Sequence, residues 1–151
     1  MINVKTKFPP PLVALVFGFL IYYTKNIFPK IEILWGYVFG SISIIFGLII
    51  ILSAIILFKK YKTTITPLNP SNATKLIVHG IYKFSRNPMY LGLLLVLSGI
   101  SIIQNPIGGL LFVPLFILYL NYFQIIPEES AMLDLFKDDF LKYKENVRRW
   151  I

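Results

Sequence analysis

The sequence predicts an all-α integral membrane protein with about four transmembrane helices, a cytoplasmic loop and a C-terminal amphipathic helix. Three observations carry that prediction. Of the 151 residues, 56% are hydrophobic, the mean hydropathy is +0.71, and the run 33–58 holds no charged side chain over a length that crosses a hydrocarbon core of about 30 Å. The length fits a single domain, 1–151, with two membrane helices in 1–58 and a loop, a helical hairpin and a last helix in 59–151.

The first apolar run, 8–24, opens on Pro9, Pro10 and Pro11 and is long enough to span if it continues through Tyr22, Tyr23, Ile27 and Phe28. A signal peptide is the rival reading, but no small-residue cleavage site follows the run, so a retained helix is expected. After the second run, 59–85 is polar, and Thr63, Thr64, Thr66, Pro67, Asn69, Pro70, Ser71 and Asn72 defeat any helical period. Loops this long within compact proteins either carry function or act as linkers. Two further apolar runs, 88–103 and 106–126, flank the turn Gln104, Asn105, Pro106 and read as a helical hairpin.

Beyond it, Leu133, Phe136, Phe140, Tyr143, Val147 and Trp150 recur at steps of three and four, with Asp138, Asp139, Lys142, Glu145, Arg148 and Arg149 opposite. This predicts an amphipathic helix lying on the membrane surface or covering the ends of the bundle.

Basic residues set the orientation. Lys59, Lys60, Lys62, Lys75, Lys83 and Arg86 fall in or beside the long loop, and Lys137, Lys142, Lys144, Arg148 and Arg149 in the last segment, whereas the turn at 104–106 has none. Both termini and the loop are therefore expected in the cytoplasm, against the weaker opposing signal of Lys25 and Lys30. The formal charge of +8 suits anionic lipid head groups better than nucleic acid. With no cysteine, disulfides, thiolate metal sites and cysteine nucleophiles are excluded, and the single His79 argues against a histidine metal site. No metal is expected, and His79 is read as an exposed loop residue.

Two polar clusters stand at helix borders. In GIYKFSRNPMYLG, 80–92, Asn87 suits a helix N-cap and Pro88 the first helical position. Arg86 beside that N-terminus favours an anion, and Tyr90 one turn on reaches the same place. A capped helix with an interfacial arginine and tyrosine explains the same residues without function. At the other border, Asn121, Gln124 and Glu128 share a face if the helix continues past Pro127. Polar groups at membrane depth commonly mark function, and capping with interfacial solvation is the alternative.

These two stretches, GIYKFSRNPMYLG and EESAMLDLFKDDFLKYKENVRRW, resemble the membrane methyltransferases of the isoprenylcysteine carboxyl methyltransferase and phospholipid methyltransferase group. That family shows a glycine, then Arg-His-Pro-x-Tyr-x-Gly, a membrane hairpin, and a glutamate pair followed by spaced Phe and Tyr. The likeness covers 64–150. Arg86, Pro88, Tyr90 and Gly92 match the first motif, and Glu128 and Glu129 the glutamate pair. Asn87 stands where histidine is usual and Lys137 where glycine is frequent.

The resemblance implies S-adenosylmethionine as donor and S-adenosylhomocysteine as product, with Arg86, Glu128 and Glu129 in catalytic positioning roles. It further implies cofactor binding by Gly80, Tyr82, Arg86, Asn87, Pro88, Tyr90, Gly92, Glu128 and Glu129. The acceptor it implies is lipophilic or amphiphilic: first the carboxyl of an isoprenylcysteine-like substrate, alternatively a phospholipid amine or a small hydrophobic thiol or acid. A non-catalytic membrane scaffold that recruits anionic lipid or a partner protein is the reading from another class.

Overall fold

The computed structural model describes residues 8–29, 31–61 and 74–151, and among them every regular element is helical. Lys30, Lys62 and the polar loop stretch 62–73 lie outside the described residues.

Helix α1, Pro10–Tyr23, starts on two prolines, whose missing N–H groups cost nothing in a first turn. Helix α2, Gly36–Tyr61, has 26 residues and so runs about 39 Å. Helices α3, Pro88–Gln104, and α4, Pro106–Leu120, meet at Asn105. Buried Asn105 accepts from the Gly108 N–H through Oδ1 at 2.9 Å, and its Nδ2 donates to the carbonyl of Ile21 at 3.2 Å and to Thr24 Oγ1 at 3.3 Å. One side chain thus caps α4 and ties the hairpin turn to the end of α1.

α4 continues through a π-helical turn, Asn121–Ile125, into α5, Ile126–Asn146. A proline inside a helix clashes with the carbonyl four residues before it. The π-helical turn directly precedes Pro127, and the rod continues past the proline without a break. Among the described residues, two rods are long and apolar enough to cross a membrane, Gly36–Tyr61 and Pro106–Asn146, and Pro88–Gln104 is a shorter apolar helix. The second rod is apolar only as far as Ile126; from Pro127 onward it is polar.

Helix α3 is the hub. On one side α2 lies antiparallel to it along two glycine pairs. A Cβ on Gly92 would stand 2.6 Å from the Gly47 carbonyl oxygen, and one on Gly99 would stand 2.5 Å from that of Gly40. Between the pairs, Ser43 Oγ donates to the Leu95 carbonyl at 2.8 Å. Small residues at a seven-residue spacing on both helices let the backbones touch, which in lipid replaces the hydrophobic drive that water would supply. On its other side α3 meets α1 and α4 around Val13, Ile21, Leu97, Phe116, Leu120 and Ile125. The outward face of α2, including Phe39, Phe46, Ile49 and Leu52, is exposed and apolar, as expected of a surface in contact with acyl chains.

The last helix differs from the sequence expectation. It is bent at Lys137 (φ 43°, ψ −116°) and ends at Asn146, with Val147 extended at φ −129°, ψ 128°. Residues 147–151 do not prolong the amphipathic face, because their backbone pairs elsewhere: the Arg148 carbonyl accepts from the Arg86 N–H at 3.0 Å. Trp150, expected on the apolar stripe of that helix, packs against the central core from the extended segment instead, and Phe140 and Tyr143 are buried, as expected of a helix that covers the end of the bundle.

Candidate active site

The ends of α1 near Phe8 and α2 near Tyr61, the start of α3 and the beginning of α5 lie at one end of the bundle, opposite the Asn105 turn. Gly80 opens this region with φ +61°. A Cβ there would lie 2.8 Å from Leu57 Cδ1, so both the left-handed backbone and the packing on α2 suit glycine. A 3₁₀ turn, Gly80–Lys83, follows. Tyr82 is buried with Ala54 and Ile77, edge-on to Phe58, and its carbonyl accepts from the Tyr143 hydroxyl at 2.7 Å. Its ring is thus a packing element joining α2, the turn and α5.

Asn87 occupies the N-cap position of α3 and Pro88 the first helical position, but Asn87 makes no side-chain cap. Its Nδ2 instead donates to the Arg149 carbonyl at 2.9 Å, because segment 147–151 lies alongside. Ser85 Oγ donates to the same carbonyl at 3.4 Å.

Arg86 points inward. Its Nη2 donates to Glu129 Oε1 at 2.8 Å, and its Nη1 to the carbonyls of Val147 and Lys144. Its Nε is buried and has no partner among the described residues. Glu129 also receives Arg149, through Nε at 3.2 Å and Nη2 at 2.6 Å. Both of its oxygens are therefore spent on arginines. Burial pushes the Glu129 carboxyl up, but the hydrogen bonds from Arg149 and Arg86 outweigh it and hold the group below the usual carboxylate range.

Glu128, one residue earlier, faces differently. Its Oε1 accepts from the Tyr90 hydroxyl, and among the described residues Oε2 has no donor. Burial raises its carboxyl to about 7, the Tyr90 hydrogen bond opposing and the Glu129 charge adding. Neighbouring glutamates thus carry opposite electrostatic characters.

The structure brings Arg86, Asn87, Pro88, Tyr90, Glu128 and Glu129 to one place. It sets Gly92 apart, on the α2 seam, where it serves backbone approach between helices. Asn121 and Gln124 do not converge with Glu128 on a common partner. Gln124 is fully buried and donates to the Phe8 carbonyl at 2.8 Å, and the side-chain oxygens of both amides are buried without a donor among the described residues. His79 is exposed. Among the described residues no cluster of acidic or histidine side chains could hold a metal ion. Arg149 was legible only as one basic residue on a helix face; the signal that sets it apart is the extended backbone after Asn146. Alongside the site runs an open groove of about 580 Å³ lined by Lys83, Asp139, Lys142 and Tyr143. A larger hollow of about 800 Å³, among Lys25, Glu32, Trp35 and Gln104, lies at the opposite end.

Comparison with known proteins adds independent information. A family model described as phospholipid methyltransferase matches residues 35–139. A relative from Arabidopsis thaliana, protein-S-isoprenylcysteine O-methyltransferase A, is 32% identical over 138 residues, which is 89% of this chain and 69% of the relative. A probable protein-S-isoprenylcysteine O-methyltransferase from Oryza sativa subsp. indica is 27% identical over 141 residues, 90% of this chain and 72% of the relative. An uncharacterized protein from Haemophilus influenzae is 41% identical over 63 residues, 42% of this chain and 100% of the relative. No solved structure matches the chain.

Proposed function

The chain belongs to the phospholipid methyltransferase family, and from that premise we propose that it transfers a methyl group from S-adenosylmethionine to a lipophilic or amphiphilic acceptor at the membrane. The preferred acceptor is the carboxyl of an isoprenylcysteine-like substrate, a choice supported by the names of the Arabidopsis and rice relatives. The family description supports a phospholipid amine as second reading.

The observation that carries the proposal is the pair of unspent polar atoms at the Arg86 and Glu128 cluster. Arg86 Nε is a buried donor without an acceptor among the described residues, and Glu128 Oε2, which is not a buried orphan, stands beside the Oε1 that Tyr90 holds and has no donor among those residues. Buried polar groups are normally satisfied, which singles out Arg86 Nε as a donor that lacks its acceptor. The two fit a cofactor that carries a carboxylate together with an ammonium and ribose hydroxyls: Arg86 for the first, Glu128 for the second. When bound, the cofactor supplies a methyl on a positive sulfur, whose C–S bond breaks as the acceptor oxygen or nitrogen takes the methyl.

The side chains need only bind, orient and exclude water, since a carboxylate acceptor is already nucleophilic at neutral pH. The Asn87 amide does not titrate and so supplies no base, which suits an acceptor that requires none. Tyr90 fixes Glu128, and Pro88 starts the helix that carries Tyr90.

We place all four apolar helices across the bilayer, with the site, the long loop and both chain ends on the cytoplasmic side. In support, Lys59, Lys60, Lys83, Arg86, Arg148 and Arg149 gather at the site end of the bundle.

The test is S-adenosylhomocysteine binding by the purified protein in detergent or nanodiscs. Saturable binding that is weakened in Arg86→Ala and Glu128→Ala supports the reading. A folded wild type that binds none removes it. Methyl transfer to a prenylated cysteine analogue, set against a phosphatidylethanolamine vesicle, then separates the two acceptors.

A further inference from the structure

We infer that Arg149 is a positioning residue of the site: it holds Glu129, and through Glu129 the guanidinium of Arg86, so that segment 147–151 is part of the binding machinery. The inference rests on the methyltransferase reading and extends it to residues beyond the match to the family model, which stops at 139.

Chain geometry comes first. On a straight α-helix, residues 129 and 149 would stand about 30 Å apart. Arg149 Nη2 lies 2.6 Å from Glu129 Oε2. The bend at Lys137 makes this possible, by dividing the stretch from Glu129 to Asn146 into two arms of about 12–14 Å that lead out and back. The returning arm ends at Asn146, and the extended backbone beyond it lies against 85–87. There the Arg148 carbonyl accepts from the Arg86 N–H, and the Arg149 carbonyl accepts from Asn87 Nδ2.

Glu129 then links two arginines. Arg86 gives it one bond at 2.8 Å, whereas Arg149 gives a two-nitrogen fork reaching both oxygens. A planar fork fixes the plane of a carboxylate, which a single contact leaves free to rotate. Held in that plane, Oε1 receives Arg86 Nη2, while the Val147 and Lys144 carbonyls take Nη1. The guanidinium is thus immobilised with Nε as its unspent donor. Burial makes the arrangement matter: the Arg86 and Glu129 side chains are 8% and 13% exposed, so water cannot replace a lost partner there. Arg149 is 33% exposed, as suits a residue that closes the cluster from outside.

The glutamate pair therefore divides its work, Glu129 orienting Arg86 and Glu128 keeping a free oxygen for ligand. The test measures S-adenosylhomocysteine affinity and thermal unfolding in detergent for Arg149→Ala, Arg149→Lys, Glu129→Gln, the Arg149→Ala/Glu129→Gln pair, and exposed Glu145→Ala as a surface control. Arg149→Ala is expected to weaken binding about tenfold. Arg149→Lys, which keeps the charge but not the fork, should recover part of the loss. In the Glu129→Gln background, removing Arg149 should have little further effect, because it acts through Glu129. Wild-type affinity in Arg149→Ala overturns the inference, as do losses that multiply independently in the double variant or a fall in melting temperature with affinity intact. If Arg149→Ala does not fold, Arg149→Lys against Glu129→Gln makes the same comparison. Failure of the wild type itself to bind would count against the methyltransferase reading instead.

Discussion

Tyr90 donates its hydroxyl hydrogen to Glu128 across 38 positions of sequence. This bond joins the start of α3 to the start of α5 at the point where both helices leave their apolar stretches. It also orients a carboxylate that burial has raised to about 7, and leaves the second oxygen of that carboxylate outside the bond.

If that oxygen binds the cofactor as an anion, affinity follows its ionisation. With a midpoint near 7, roughly a tenth of the sites are ionised at pH 6 and nine tenths at pH 8, so S-adenosylhomocysteine should bind about tenfold more tightly at the higher pH. Glu128→Gln should bind weakly and without this rise. Stability of the unliganded protein runs the other way. A carboxyl raised in the folded state holds its proton more tightly there than when unfolded, so stability falls as pH rises from about 4.5 to 7. Thermal unfolding across that window should show the slope in wild type and less of it in Glu128→Gln.

Tyr90→Phe removes the donor and keeps the ring. The tyrosine hydrogen bond lowers the Glu128 carboxyl, so its loss moves the midpoint of the binding curve above that of the wild type. Affinity at pH 7 should fall severalfold and return in part at pH 8.5. An unshifted midpoint would show that the hydroxyl does not control the carboxylate.

The α2 and α3 seam predicts a different phenotype. Gly92→Ala and Gly99→Ala each put a methyl within 2.6 Å of a facing backbone oxygen, which no side-chain rotation relieves. Each should cost about 1–3 kcal/mol by overpacking, measured as a lower melting temperature in detergent. Gly18→Ala is the matched control: its new methyl would meet only Leu97 Cδ1 at 3.8 Å, and it should be neutral or stabilising by up to about 1 kcal/mol.

How much of this was legible in the sequence varied with the distance over which the cause acts. Apolar runs and prolines are local, so the helices and the turn at Asn105 followed from them. The border motif also placed Arg86, Pro88 and Tyr90 at a helix start. Partners were not legible. Arg86 reads in sequence as favouring an anion at a helix N-terminus, yet most of its donors are satisfied by Glu129, Val147 and Lys144, and the last two contacts exist only once α5 has turned back. Asn87 reads as a cap because its side chain suits one, but the Arg149 carbonyl competes for it. The seven-residue spacing of Gly40 and Gly47, and of Gly92 and Gly99, was in plain view; only their antiparallel meeting gives it meaning. Segment 147–151 was misread because Val147 and Trp150 continue a three-and-four spacing with no glycine or proline to stop it.

Lys137 causes that misreading and offers the sharpest test of the fold. Its φ of 43° with ψ of −116° is a conformation that glycine adopts freely and a β-carbon resists, at about 1–3 kcal/mol. The conformation persists because the returning arm is anchored at both ends, by buried Phe140 and Tyr143 and by the Arg149 fork on Glu129. Lys137→Gly removes the strain but adds freedom to the unfolded chain, which offsets part of the gain. The net expectation is about 1 kcal/mol of stabilisation, with S-adenosylhomocysteine affinity unchanged because the anchors stay in place. Lys137→Val, β-branched and stiffer still at positive φ, should lower the melting temperature and weaken binding together, as the arm loses its approach to Glu129. A glycine variant less stable than wild type would mean that the helix runs straight through this position, and Arg149 would then be out of reach of Glu129.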